Sequence, residues 1–362
     1  MVRTLASAHV IATYPERGIV ASAFPFQESR LLSTPIRNLG LTIAGTPLEP
    51  VLAQFEQELE QAGIRRLKPH FYLSMEWGVP FGTLSIAIPF YLARPDLIEV
   101  HAERVGHLEG VGRIDLLRYL RHEMGHVINY AYQLYEQEEW IKHFGSITQP
   151  YVEDYRPKPF SRRYVRHLPG WYAQKHPDED WAETFAVWMT PGLDWRATYA
   201  DWPEARAKLG YCDRTMAAIN DSEPKVTATE RDEDVSELGG SLEEYYRDNA
   251  DDGDDPLPPG LDGALQSIFE DYGHPEELVS SAARVPAAAL LLRLKRDLVA
   301  NVYRWTGHFP EPTRRLIHHL AERARELNQV YPADRESEVT IALTTLITSL
   351  AMNHVVRGSY FP

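Results

Sequence analysis

An α+β architecture is predicted by three observations. Two short apolar runs, HFYLSM at 70–75 and LSIAIPFYL at 84–92, have the character of strands. Two segments, 113–135 and 177–189, repeat their apolar residues at helical spacing. From residue 261 onward the pattern is helical throughout. The expected organisation is one unit over 1–220 combining a small sheet with helices, a mobile acidic linker over 221–260, and an all-α region over 261–362.

The elements follow in chain order. At the N-terminus, MVRTLASAHVIATYPERG is interrupted by His9, Tyr14, Pro15 and Glu16, so it lacks the apolar core of about 7–15 residues that a secretory leader needs. Residues 48–62 alternate apolar and charged positions as a helix does. Within 84–92, Pro89 places the strand at an edge or ends it early. In 113–135, Leu116, Leu117, Leu120, Met124, Val127, Ile128 and Leu134 form an apolar side. Asp115, Tyr119, His122, His126, Asn129 and Gln133 form a polar stripe on the same helix. Residues 140–171, with four prolines and many aromatics, read as a long ordered excursion. PDEDWAETFAVWM at 177–189 is a second helix, with Pro177 in its first turn and Asp178 and Glu179 suited to its N-terminus. DWPEARAKL begins a short helix, and SLEEYY forms another inside the acidic stretch. Helices are then expected at 261–272, 275–284, 286–305, 312–330 and 335–356.

Composition narrows the function classes. With 362 residues, 44% hydrophobic and 25% charged, the chain can bury a sizeable core and is neither fibrous nor largely disordered. Its single cysteine, Cys212, excludes an intramolecular disulfide and a cysteine-based zinc site, and reads as a small core residue. The net charge of −15 is concentrated in 221–255, where 14 Asp/Glu face 3 Lys/Arg; that is −11, leaving −4 for the rest. Nucleic acid is therefore excluded as a partner, because phosphate binding needs a basic footprint. No uninterrupted apolar run approaches the roughly 18 residues of a membrane span, and the expected location is the cytoplasm.

The chemistry is concentrated in HEMGH at 122–126. Residues four apart share one face of a helix, so His122 and His126 can aim ring nitrogens at one ion. Glu123 sits beside that ion without binding it, where it can take a proton from an activated water. The bland alternative, an exposed helix carrying two histidines, is disfavoured by the polar stripe on which both lie. A catalytic zinc usually has three protein ligands. A third histidine six residues after His126 is absent, since Asn129 and Tyr132 stand where that pattern needs Gly and His. The other common pattern takes a glutamate from a later helix, and HPDEDWAETFA at 176–186 offers Glu179 and Glu183, again four apart.

HEMGH together with YAQKHPDEDWAETFA resembles the gluzincin clan of thermolysin-type and lethal-factor-type zinc metallopeptidases. In particular it is similar to the bacterial family of zinc-binding metallopeptidases that pair such a helix with a downstream Tyr-Ala and Glu-Asp-aromatic-Ala-Glu segment. The resemblance covers roughly residues 70–215. It implies a zincin-like catalytic domain and a bound zinc ion. It further implies that Glu179 is the third ligand, that Glu183 fixes a ligating histidine from behind, and that Tyr172 donates to the oxyanion. Two alternatives stay open: Glu183 as ligand with Glu179 at the helix N-terminus, and Tyr172 as a packing residue among Trp171, Trp181, Phe185 and Trp188. The strand at 84–92 either lines the cleft and pairs with substrate backbone, or is simply buried.

The remaining candidates are weaker. His143, His167 and His176 could approach the site, and Asp180 reads as a surface charge or a partner of Lys175. The small glycine at 125 allows another backbone to come close. The expected activity is hydrolysis of a peptide or protein substrate inside the cell. A zinc-keeping binding protein that recruits a partner through its C-terminal helices, and a peptidase held latent by its acidic segment, are the rivals.

Overall fold

The computed structural model describes residues 24–361 apart from 106, 152–154, 156, 249–259 and 272–282. The segment read for a leader, and most of the helix expected at 275–284, lie outside the described residues. The described chain is helix-rich with two small sheets, an α+β arrangement.

In the first unit, α1 (Leu48–Gln61) buries Leu48, Val51, Leu52, Phe55 and Leu59. β1 (His70–Ser74) and β2 (Ser85–Pro89) pair in parallel, from His70 opposite Ser85 to Ser74 opposite Pro89. Every residue of β2 is buried, and Pro89 ends it. Its outer edge is met at Ala87, whose N–H donates to the Gly78 carbonyl.

Two helices build the centre of this unit, α2 (Arg113–Tyr132) and α3 (Pro177–Met189). The polar stripe of α2 does not face solvent: every residue from His122 to Tyr132 is buried. Its apolar side packs on the sheet and on α1, and Arg121 on its flank grips the Glu58 carboxylate with two hydrogen bonds of 2.9 and 3.1 Å. The polar stripe meets α3, which is itself buried from its N-cap to Val187. The two helices approach so closely that a Cβ on Gly125 would stand 2.6 Å from the Ala182 Cα. The Trp181 indole N–H donates to the Gly125 carbonyl at 2.8 Å, sealing the crossing. Gly125→Ala is therefore expected to push α2 and α3 apart at the cost of about 3 kcal/mol or more, read as a lowered denaturation midpoint together with weakened metal retention.

The last helix of this part, α4 (Pro203–Ile219), is longer than the short one expected, and Cys212 on it is fully buried. The next segment differs from the expected linker. Residues 221–248 return along the first unit instead of leaving it. The Leu84 N–H donates to Ala228 O, Val235 N–H to Leu73 O, Ile36 N–H to Gly240 O and Leu242 N–H to Thr34 O. Val235, Leu242 and Tyr246 enter the same core as Phe55 and Ile86, and α5 (Leu242–Asp248) closes the unit. The cause is spacing: a few apolar anchors fall between charges that remain in water, which a composition average conceals.

The C-terminal region has its own core, built by α6 (Ala287–Thr306), α7 (Pro310–Glu326) and α8 (Glu336–Arg357). It is not purely helical. β3 (Glu270–Asp271), β4 (Arg284–Pro286) and β5 (Gln329–Pro332) form a small antiparallel sheet in the order β3-β5-β4. By length and composition the segment Ala333–Arg357 could cross a membrane, against the expectation of none. Here its Val339, Leu343, Ile347 and Leu350 are buried in the C-terminal core.

Candidate metal centre

His122 and His126 project from adjacent turns of α2 towards Glu179 in the first turn of α3. The three donor atoms form a small triangle: 3.0 Å from His122 Nε2 to Glu179 Oε2, 3.2 Å between the two Nε2 atoms, and 3.3 Å from His126 Nε2 to Glu179 Oε2. A tetrahedral zinc ion with bonds of about 2.0–2.1 Å spaces its ligand atoms about 3.3–3.4 Å apart, so the donor set fits that ion in both chemistry and size. All three residues are buried.

Behind each imidazole stands a carboxylate. His122 Nδ1 is 2.9 Å from Glu183 Oε1, and Glu183 is itself fixed by the backbone N–H groups of His167 and Leu168. His126 Nδ1 is 3.0 Å from Asp178 Oδ2. Asp178 accepts in turn from the Asn129 amide and the Tyr130 hydroxyl. Such partners fix which ring nitrogen is free to bind a metal, and raise its basicity. Asp178→Asn is accordingly expected to weaken zinc binding about 10–100-fold, measured by competition with a chromogenic chelator; an unchanged affinity would remove Asp178 from the site.

Electrostatics point the same way. Burial penalises charge on His122, but hydrogen bonds to Glu179 and Glu183 outweigh it and bring its pKa up to about 9. His126 is likewise raised against burial, by the charges of Asp178 and Glu179. Burial also works against the Glu179 carboxylate, yet the two imidazoles hold its pKa well below the usual range. The pocket thus holds negative charge in excess and favours a cation between its donors. Glu123, buried beside the triangle, is pushed up to about 7 by burial, against the pull of His122 and His126. A dication next to it favours its ionised form.

Tyr172 lies on a short helical segment, Pro169–Gln174, with its ring 5.5 Å from that of His122. Its hydroxyl is 3.3 Å from the Tyr151 hydroxyl, and the latter donates to Glu179 Oε1 at 2.8 Å. The Lys175 ammonium rests over the Tyr151 ring at 4.4 Å. Of the two glutamates, Glu179 stands in the triangle and Glu183 stands behind His122.

Other candidates are placed elsewhere. His167 turns its ring to the Arg118 carbonyl, and reaches the site only through its backbone. His176 caps α3, its Nδ1 accepting the Asp178 N–H at 3.2 Å. His143 packs against Phe144 and Tyr211. Asp180 is not a surface charge: it is buried and paired with Lys208 of α4, although burial still lifts its pKa to about 7. Asp178 and Tyr151 were not singled out by sequence. The signal for Asp178 was its place beside Glu179 on a helix facing Asn129 and Tyr130; Tyr151, in an irregular stretch, gave none.

Residues 87–202 match a family model described as "Putative zinc-binding metallo-peptidase", a span that holds both the HEMGH helix and α3. No curated protein and no solved structure matches the chain.

Proposed function

We propose that this protein is a zinc-dependent peptidase of the gluzincin type, hydrolysing peptide bonds of a peptide or protein substrate, a reading supported by the match of residues 87–202 to the zinc-binding metallo-peptidase family model. The observation that carries the reading is the buried triangle of His122, His126 and Glu179 with Glu123 alongside it. A purely structural zinc site takes four protein ligands and has no need of a further buried carboxylate. Zinc held there would act as a Lewis acid and lower the pKa of a coordinated water to about 7.

The chain's own residues do the rest. Glu123 accepts the proton of the attacking water and returns it to the leaving amine. Tyr172, whose hydroxyl donates to the Tyr151 oxygen at rest, turns that proton to the oxygen of the scissile carbonyl as charge develops there, while Tyr151 keeps its own proton on Glu179. Glu183 and Asp178 keep the two imidazoles in the tautomer that presents Nε2.

The test is a comparison of newly formed protein N-termini in cell lysate treated with zinc-loaded wild type or with Glu123→Gln. Termini that appear only with the wild type support the proposal. Identical profiles, from protein shown to carry zinc, would count against it.

A further inference from the structure

The chain between His167 and Tyr172 is gripped from two sides. On one side, Glu183 accepts the N–H groups of His167 and Leu168. On the other lies the C-terminal end of α6. Between the two grips, Gly170 (φ 81°) and Trp171 (φ 55°) both adopt left-handed backbone. For a bulky residue such as tryptophan this conformation is strained and persists only when its surroundings enforce it.

The enforcing surface comes from the C-terminal region. Gly307 ends α6, and a Cβ there would stand 2.7 Å from two atoms of the Trp171 ring and 3.0 Å from the Gly170 Cα. One turn earlier, buried Tyr303 lies so close that a Cβ on Gly170 would be 3.3 Å from its ring. The Tyr155 hydroxyl donates to the Gly170 carbonyl at 2.7 Å, and Phe309 packs against both Tyr155 and Tyr303. The residue that leaves this turn is Tyr172, whose ring faces His122 and whose hydroxyl meets Tyr151.

We infer that the end of α6 is a positioning element of the metal centre: Gly307 and Tyr303 hold the Gly170–Trp171 turn in its left-handed form, and that turn sets where the Tyr172 hydroxyl stands. The C-terminal region is then part of the catalytic apparatus, not an appended module. The catalytic consequence rests on the peptidase reading above; the conformational one does not.

The test uses full-length, zinc-loaded protein with Gly307→Ala, a change that drives a methyl group into the Trp171 ring. Hydrogen exchange of the amides at 168–174 is expected to rise at least about tenfold, with α2, α3 and the zinc content unchanged. On a peptide that the wild type cleaves, kcat should fall about tenfold or more with KM little altered. Adding Tyr172→Phe to Gly307→Ala should cost nothing further, because the hydroxyl is already displaced. Adding Trp171→Asn, which tolerates the left-handed backbone and lacks the ring, should restore most of the loss. Should Gly307→Ala not fold, Tyr303→Leu withdraws the ring from Gly170 and is read in the same way. Unchanged exchange at 168–174, or a kcat loss additive with that of Tyr172→Phe, would overturn the inference. If the wild type cleaves no peptide, the peptidase reading falls while the exchange comparison still decides whether α6 holds the turn.

Discussion

His126→Ala is expected to lose the metal, and all activity with it. The substitution removes one of three donor atoms that stand 3.0–3.3 Å apart, and the second ring nitrogen of His122 is committed to Glu183. It also strips Asp178 of its imidazole, leaving that buried carboxylate with Asn129 and Tyr130 alone. Losing a partner behind a ligand costs about 10–100-fold in affinity, so losing the ligand itself should cost more. Zinc per chain, measured by elemental analysis after dialysis, should drop from about one to near zero. Zinc retained at the wild-type level would exclude the site as described.

Glu123→Gln should have the opposite signature, with metal kept and turnover lost. Glutamine matches glutamate in volume, so the packing of α2 against α3 survives, and none of the three ligand atoms is touched. What disappears is the group able to take a proton. General base catalysis contributes about 10²–10⁴-fold, and a loss of that order in kcat is expected with zinc near one per chain. The pairing of the two variants is informative because they fail for different reasons. A Gln variant that kept more than about a tenth of wild-type kcat would mean that Glu123 is not the base.

Much of this centre could be read from spacing alone. HEMGH and HPDEDWAETFA each place their carboxylate or imidazole groups four residues apart, and helical geometry turns that interval into a shared face. The extent of α3, Pro177–Met189, agrees with the span expected from proline and acidic residues at its start. The polar stripe on α2 was visible too, but not its burial, because a second polar helix face covers it and pairing across helices leaves no periodic trace. Tyr151 was invisible for the same kind of reason: it reaches Glu179 from an irregular stretch across 28 residues. The acidic segment misled by its average. Fourteen acidic groups suggested a solvated tether, while Val235, Leu242 and Tyr246 anchor it to the core. The strands β3, β4 and β5, at two to four residues each, are too short for a period of two to stand out from the helical pattern around them.

The return of residues 221–248 to the sheet also orders events in time. Every residue of the donor triangle and every carboxylate behind it lies between residues 122 and 183, so a ribosome finishes that sequence well before it reaches the segment that completes the sheet. Until Ala228 and Val235 emerge, the Leu84 N–H and the Leu73 carbonyl wait for partners that arrive late; Ser74 and Asp232, which meet in the folded chain, are 158 residues apart. Closing so long a loop is an entropic cost borne before any contact rewards it. During synthesis this leaves the residues of the donor triangle already made while the Leu73 and Leu84 backbone groups are still without their partners, the interval in which such groups pair with the wrong neighbour.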